Sequence, residues 1–324
     1  MIQYRPFLNT DTPGIVDIWR HQNPFRGFFS GCTRDILDQH VFSKPYFDRL
    51  GLTIAVNVPD DPTLSPEPLG FVHASFAPNE TLSDLDYRVG VVSQLKLKPG
   101  HQAIEIGHAL LNHAIEYLKQ HSATVAHVGG DFPQTPFYLG LYGGSRVPGV
   151  MEEDRLARQV FQEAGFETTD SICVLERKLA GFRTLIDRQQ LALRRQFQIK
   201  AVPDPLESSW WESCTMGMAE RDRFNVFDKL KRENVGTVSF WDMQPLAGLA
   251  GGVGRGLYDL KINEDLRRSG MATFLVGESM RHLMQQGVAR IEAQAPESDI
   301  PSLGVFKKLA FQTLTRGYLM SKPI

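Results

Sequence analysis

Arg267-Arg268-Ser269-Gly270-Met271-Ala272, followed by Thr273, is the sharpest chemical pattern in the sequence. It stands between an alternating apolar run and a long helical one. A turn in that place aims several backbone N–H groups without helical acceptors, together with the positive end of the helix dipole, at one spot, which suits a pyrophosphate. Gly270 lets a ligand approach the backbone with no Cβ in the way, and Arg267 and Arg268 can add charge-assisted hydrogen bonds to phosphate oxygens. Taken alone, such a hexapeptide is more often an ordinary helix start with solvated arginines.

Other signals are weaker. Gly251-Gly252-Val253-Gly254-Arg255-Gly256 precedes a strand-like stretch instead of following one, so it reads as a hairpin and not as a dinucleotide loop. Gly143-Gly144-Ser145-Arg146-Val147 lacks the last glycine of a nucleophile elbow. His108 and His113 lie five apart on one helix, off the spacing of four that lets two histidines share a metal. Cys32, Cys173 and Cys214 form no C-x-x-C pair, so neither a zinc site nor a disulfide framework is expected. Trp210-Trp211 reads as packing, or as two indoles flanking a substrate in an interdomain groove.

The chain has 324 residues, 42% apolar and 22% charged, enough to bury sizeable cores. With 35 Lys plus Arg against 37 Asp plus Glu, the net charge of -2 gives no general field to attract nucleic acid or an anionic membrane. The first ten residues show no basic stretch leading into an apolar run, and the longest apolar tract, Leu246 to Val253, is too short and glycine-rich to span a bilayer. The expectation is a soluble, cytoplasmic protein in a reducing compartment.

The elements that must hold the Arg267 turn occur twice. Leu95-Lys96-Leu97, then Gln102, then Gly107 lie beside Leu260-Lys261-Ile262, then Arg267, then Ala272, all at an offset of 165. Each copy reads as strand, polar turn, amphipathic helix and strand. A second landmark follows in each copy, Gly165-Phe166 and Ala310-Phe311, at an offset of 145. The first copy therefore holds about 20 extra residues, assigned to a structured loop over Pro136 to Gly149, rich in aromatics, Gly and Pro. Its large apolar residues, Tyr138 and Tyr142 among them, are expected to line a substrate pocket or an interdomain cleft. A charged, helix-prone segment at 180–196 predicts the connection, giving domains 1–180 and 181–324. In the first half, strands are predicted over Ile2 to Leu8, Leu52 to Val58, Leu69 to Phe76 and Tyr87 to Leu97, with helices over Pro13 to His21 and Arg34 to Leu50. In the second half, strands are predicted over Phe197 to Val202, Val235 to Met243 and Gly256 to Ile262, around a helix near Met216 to Leu230.

The run Arg267-x-x-Gly270-x-Ala272 resembles the motif of the Gcn5-related N-acetyltransferases (GNAT), Arg or Gln, two residues, Gly, one residue, Gly or Ala. The second landmark is similar to that family's Asn, Ala, Tyr, Gly-Phe series. It reads Asp299, Ser302, Phe306, Ala310, Phe311 in the second half and Asp154, Ala157, Phe161, Gly165, Phe166 in the first. Both halves depart from the family at one place, where phenylalanine replaces the tyrosine that commonly protonates the departing thiolate. In the first half Glu105 also stands where the family has its first glycine, adding a Cβ and a like charge near a pyrophosphate.

The resemblance implies an α+β protein of two tandem GNAT-like domains, each a mixed, mostly antiparallel sheet flanked by helices. It also implies transfer of an acetyl group from acetyl-CoA to a primary amine of a small molecule or peptide, without metal. The second half is expected to be the better acyl-CoA site. There Leu260 and Ile262 would bond the pantetheine arm, and Arg267, Arg268, Ser269, Gly270, Met271, Ala272 and Thr273 would hold the pyrophosphate. Tyr258, or Tyr138 or Tyr142 of the inserted loop, is a substitute acid, and Asp259 is the candidate base. The alternative is a non-catalytic acyl-CoA or metabolite-binding protein on the same scaffold.

Overall fold

The computed structural model describes residues 1–21, 31–61, 63–129, 134, 137–141, 148–216, 219–243 and 252–324. In the first half the strands are β1 (Ile2–Pro6), β2 (Leu52–Asn57), β3 (Glu67–Pro78), β4 (Leu85–Leu97), β5 (Val125–Val128), β6 (Val150–Met151) and β7 (Glu167–Lys178). In the second they are β8 (Phe197–Pro203), β9 (Arg221–Asp228), β10 (Asn234–Asp242), β11 (Gly254–Ile262), β12 (Arg290–Pro296) and β13 (Gln312–Pro323). The helices are α1 (Thr12–Arg20), α2 (Arg34–Leu37), α3 (Ala103–Gln120), α4 (Arg155–Glu163), α5 (Arg188–Gln196), α6 (Trp210–Met216), α7 (Met271–Gln285) and α8 (Ile300–Lys308). No described helix is long and apolar enough to cross a membrane.

All of these strands join one sheet, in the order β1-β2-β3-β4-β5-β13-β7-β12-β11-β10-β9-β8, with β6 beside β13. The last strand of each half lies between the fifth and last strands of the other. Register reproduces the sequence offsets. In the first half Val89 pairs with Val125 and Val125 with Pro323; in the second, Gly254 pairs with Arg290 and Arg290 with Lys178. These partners are again 165 and 145 residues apart, so the repeat in sequence is a repeat in space. The shorter landmark is a helix start in both copies: Asp154 accepts from Ala157 N at 3.2 Å and Asp299 from Ser302 N at 3.1 Å.

Each half has a core between sheet and helix. Ile291, Ala293 and Ala295 alternate into the one under α7, and Leu110, Ala114 and Leu118 of α3 fill its counterpart. A third cluster unites the halves, packing Trp19, Phe71, Phe137 and Tyr138 with Met216, Trp241 and Met243. Beside it Tyr46 stacks on Trp211 at 4.9 Å, and Lys44 donates to the carbonyls of Cys214 (3.1 Å) and Thr215 (3.4 Å) at the end of α6.

Three predicted elements differ. The helix expected near Met216 to Leu230 is instead the end of α6 followed by strand β9. There Phe224, Val226 and Asp228 are buried in alternation, a period of two that aromatic and β-branched residues favour. The helix expected over Arg34 to Leu50 breaks up. After α2 comes a wide π turn (Asp38–Phe42), and Pro45 cannot continue it. The connecting helix begins only at Arg188, where Asp187 caps it by accepting from Gln190 N at 2.7 Å.

Candidate functional site

In the second half, β11 and β12 run parallel only over Gly254↔Arg290, Arg255↔Ile291 and Gly256↔Glu292. β11 stays on β10 as far as Gly236↔Ile262, so a wedge opens between β11 and β12 from Leu257 onward. Along that wedge the edge of β11 has no strand partner among the described residues, and the backbone groups of Leu260 and Ile262 lie on the unpaired stretch. A β-bulge sits at its mouth: the step from Thr237 to Ser239 on β10 faces the longer step from Tyr258 to Lys261 on β11, and Asp259 takes a φ of +53°.

The Arg267 turn closes the far end. Arg267 is extended, Arg268 has a φ of +59°, Gly270 a φ of +81°, and α7 starts at Met271. The first helical amide bond is Phe274 N to Gly270 O at 3.0 Å, so the amides just before it fall outside the helix ladder. Successive residues of opposite backbone hand make an anion-binding concavity. Ser269 Oγ donates to Leu266 O at 2.6 Å and stiffens the turn. Arg267 reaches Glu264 at 3.3 Å on the surface, and Arg268 is exposed. Met271 and Thr273 are buried, so their contribution to the turn is their backbone N–H and not their side chains.

The first half lacks this turn. The counterpart of Met271 is Ile106, but α3 begins earlier, at Ala103, and Ile106 N already donates to Gln102 O at 2.9 Å. Amides that are open in the second half are thus spent inside a helix, with the Glu105 carboxylate in its first turn. The wedge is bridged as well. Lys96 Nζ lies 2.7 Å from Asp154 Oδ2, with the two side chains 3% and 9% exposed, and the remaining cavity of about 20 Å³ has room for about one water. The equivalent pair in the second half is apart: Lys261 is 74% exposed and bonds Asp259 at 2.6 Å, while Asp299 only caps α8.

Of the two proton-transfer candidates, Asp259 is therefore tied up in an ion pair at the mouth of the wedge. The Tyr258 hydroxyl is buried beside Arg221, and desolvation pushes the phenol up to about 12 against the pull of that guanidinium. Phe161 and Phe306 pack on Phe166 and Phe311 inside their cores, so neither position offers a polar group.

A group missed in the sequence lies on β12. Glu292 is 2% exposed and directly opposite Gly256, where the wedge opens. Arg290 Nη1 donates to its Oε1 and lies 3.2 Å from Glu176 of β7, whereas Oε2 has no partner among the described residues. Burial pushes this carboxyl up to about 8, against the pull of Arg290. On the other side of Gly256 the Trp241 indole lies so close that a Cβ would sit 2.2 Å from Nε1, and that N–H too is unpartnered among the described residues. Gln294, two residues into the wedge, has neither amide atom bonded. Glu292, Trp241 and Gln294 thus each carry a buried polar atom with no hydrogen-bond partner among the described residues. The signal was the alternation Ile291-Glu292-Ala293-Gln294-Ala295, which puts two polar side chains on one face of a central strand.

The inserted loop is described only in part: Pro136 and residues 142–147, Tyr142 included, lie outside the described residues. Phe137, Tyr138 and Leu141 are buried in the cluster between the halves. The Tyr138 hydroxyl is 2.9 Å from His73 Nδ1, not aimed into an open cavity. Burial holds His73 neutral by lowering it to about 3. Tyr138→Phe should cost about 1–3 kcal/mol in a thermal or denaturant melt by leaving a buried His73 nitrogen unpaired, and leave ligand affinity unchanged.

The model of the acetyltransferase (GNAT) family matches residues 183–311, the part that contains the wedge, the turn and Glu292. No curated protein matches the sequence. Among solved structures, a tandem GNAT protein from the clavulanic acid biosynthesis pathway superposes with a TM-score of 0.65 at 13% identity, over 100% of this chain and 98% of its own. A GCN5-related N-acetyltransferase from Sphaerobacter thermophilus gives 0.65 at 12% identity, over 99% and 95%. A GCN5-related glucosamine N-acetyltransferase region of a fungal multi-domain β-N-acetylglucosaminidase gives 0.68 at 14% identity, over 99% of this chain and 38% of that one. At these identities the likeness is one of fold. The chain is a tandem GNAT-fold protein whose second half carries the match to the acetyltransferase (GNAT) family.

Proposed function

We propose that the protein is an acyl-CoA-dependent N-acetyltransferase, with acetyl-CoA bound in the second half of a chain divided at residue 180. The fold and the family match support acyl-CoA-dependent acetyl transfer in general. The observation that carries the finer reading is the contrast between the two copies: an open left-handed turn and an unbridged wedge in one, a wound helix and a buried ion pair in the other. Pantetheine fits the free edge of β11 as an added strand, held by the backbone of Leu260 and Ile262. The turn from Arg267 to Thr273 offers amide hydrogens, a helix dipole and two arginines to the pyrophosphate.

In this reading the acceptor is a primary amine of a small molecule or peptide that enters beside Gly256. Glu292, its free oxygen at the opening of the wedge, takes the amine proton in place of the ion-paired Asp259. The nitrogen forms a bond to the thioester carbon, the carbon–sulfur bond breaks, and the thiolate leaves with a proton from Tyr258, which burial keeps protonated. Backbone N–H groups at the bulge polarise the thioester carbonyl.

Gly270→Glu tests the assignment, since it copies the first half's Glu105 into a residue of positive φ. Calorimetry should show acetyl-CoA binding weakened more than about tenfold, or about 1.4 kcal/mol. An unchanged affinity in a folded variant would sink the site. Tight binding with no transfer to any amine in a panel would favour the non-catalytic alternative, for which the missing tyrosine at Phe306 speaks.

A further inference from the structure

The turn is braced from outside its own strand and helix. Gln189, exposed near the start of α5, donates through Nε2 to Ser269 O at 2.7 Å. Gln190, 5% exposed, has its Nε2 3.4 Å from Gly270 O, a carbonyl that also accepts from Phe274 N. A Cβ on Gly270 would lie 3.0 Å from the Gln189 carboxamide and 3.2 Å from that of Gln190, so the two side chains lie against the turn. The helix carrying them is itself fixed: Asp187 caps its start, Arg194 is 2.7 Å from Glu278 of α7, and Lys229 donates to the carbonyls of Arg194 and Arg195 at its end.

In a trans peptide the C=O and the following N–H point in opposite directions. Holding the carbonyls of Ser269 and Gly270 toward α5 therefore turns the N–H groups of Gly270 and Met271 away from it. Those are two of the amides the pyrophosphate would need. In the first half the same stretch winds into the first turn of α3, where Ile106 N, the counterpart of Met271 N, donates to Gln102 O.

We propose that Gln189 and Gln190 are positioning residues that hold the phosphate turn open, so that the helix joining the two halves sets the affinity for phosphate-bearing donors. The inference rests on the acetyl-CoA reading and concerns the pyrophosphate end alone. It can be tested with Gln189→Met, an exposed change that keeps length and removes the donor, and with the double variant Gln189→Met/Gln190→Met. Binding of acetyl-CoA is measured by calorimetry, and binding of S-acetylpantetheine, which carries no pyrophosphate, by displacement of a fluorescent probe.

The double variant should lose about tenfold in acetyl-CoA affinity, and the single variant a smaller part of that, with acetylpantetheine binding unchanged. Equal losses for both compounds would mean general damage to the fold and would overturn the proposal, as would no loss for either. If wild-type protein binds acetyl-CoA no better than acetylpantetheine, or binds neither, the reading of the turn itself falls. A Gly270→Glu defect together with normal Gln189→Met/Gln190→Met binding would keep that reading and remove only the brace.

Discussion

Replacing Glu292 by glutamine is expected to lower acetyl transfer by roughly 10²–10⁴-fold, the range for a positioned general base, with the affinity for acetyl-CoA little changed. Glutamine preserves the shape and the Arg290 contact, so the loss isolates the proton-accepting oxygen. In the wild type only the ionised carboxylate can act, and burial raises its pKa to about 8. The rate should therefore climb as pH rises through about 8, and the variant's residual rate should lack that step. Stability provides an independent check. A carboxyl raised from an ordinary 4.5 to about 8 binds more protons folded than unfolded between those values. Its contribution is fully present below about 4.5 and is lost as pH rises through about 8. Glu292→Gln should accordingly gain in melting temperature relative to wild type between pH 5 and about 9. A pH–rate profile with the same step in both proteins would remove Glu292 from the mechanism.

Expressed alone, residues 181–324 should fail to give a folded, soluble monomer, and co-expression with residues 1–180 should restore one. The reason is the strand exchange. Without β7, strand β12 loses the ladder from Arg290↔Lys178 to Pro296↔Ile172, and β13 loses its partners from Gln312↔Glu176 to Ser321↔Glu167. Two long strand edges with unpaired N–H and C=O groups would then face water or each other, and unpaired edges of that kind aggregate. The loss reaches the site as well, because Glu176 of β7 shares Arg290 with Glu292. Size-exclusion chromatography and circular dichroism on the separate and co-expressed halves decide the matter. A cooperative melt from isolated 181–324 would show that the halves are independent.

The two copies were legible because their landmarks are local. A glycine turn before an amphipathic helix and an aspartate cap before a shorter one leave fixed residue types at fixed spacing. The exchange of strands was not legible. Glu167 to Lys178 and Gln312 to Pro323 carry no landmark of their own, and alternation would in any case tell which face is buried and not which neighbour lies alongside. β9 was misread because Arg221 and Arg223 surround its apolar residues with charge, and Arg221 is buried through pairing with Glu207 and Glu212, a tertiary fact. Glu292 escaped for the opposite reason. Its strand was recognised, but the meaning of a carboxyl on that strand came only from its neighbours Gly256, Arg290 and Trp241. The turn from Arg267 to Thr273 could be named residue by residue, whereas its support by Gln189 and Gln190, some 80 positions earlier, could not.

Because β13 pairs with β5, Pro323 must find Val125 almost 200 residues back along the chain. During synthesis the first half emerges with a slot between β5 and β7 that only β13, at the far end of the second half, can fill. Contacts of such long sequence separation form late and slowly. A partly made chain therefore presents open strand edges for the whole time the second half is being translated, the period in which a chaperone or a neighbouring nascent chain can engage it. The wedge between β11 and β12, whose β12 wall pairs with β7 of the first half, likewise forms only after strands of both halves have been made.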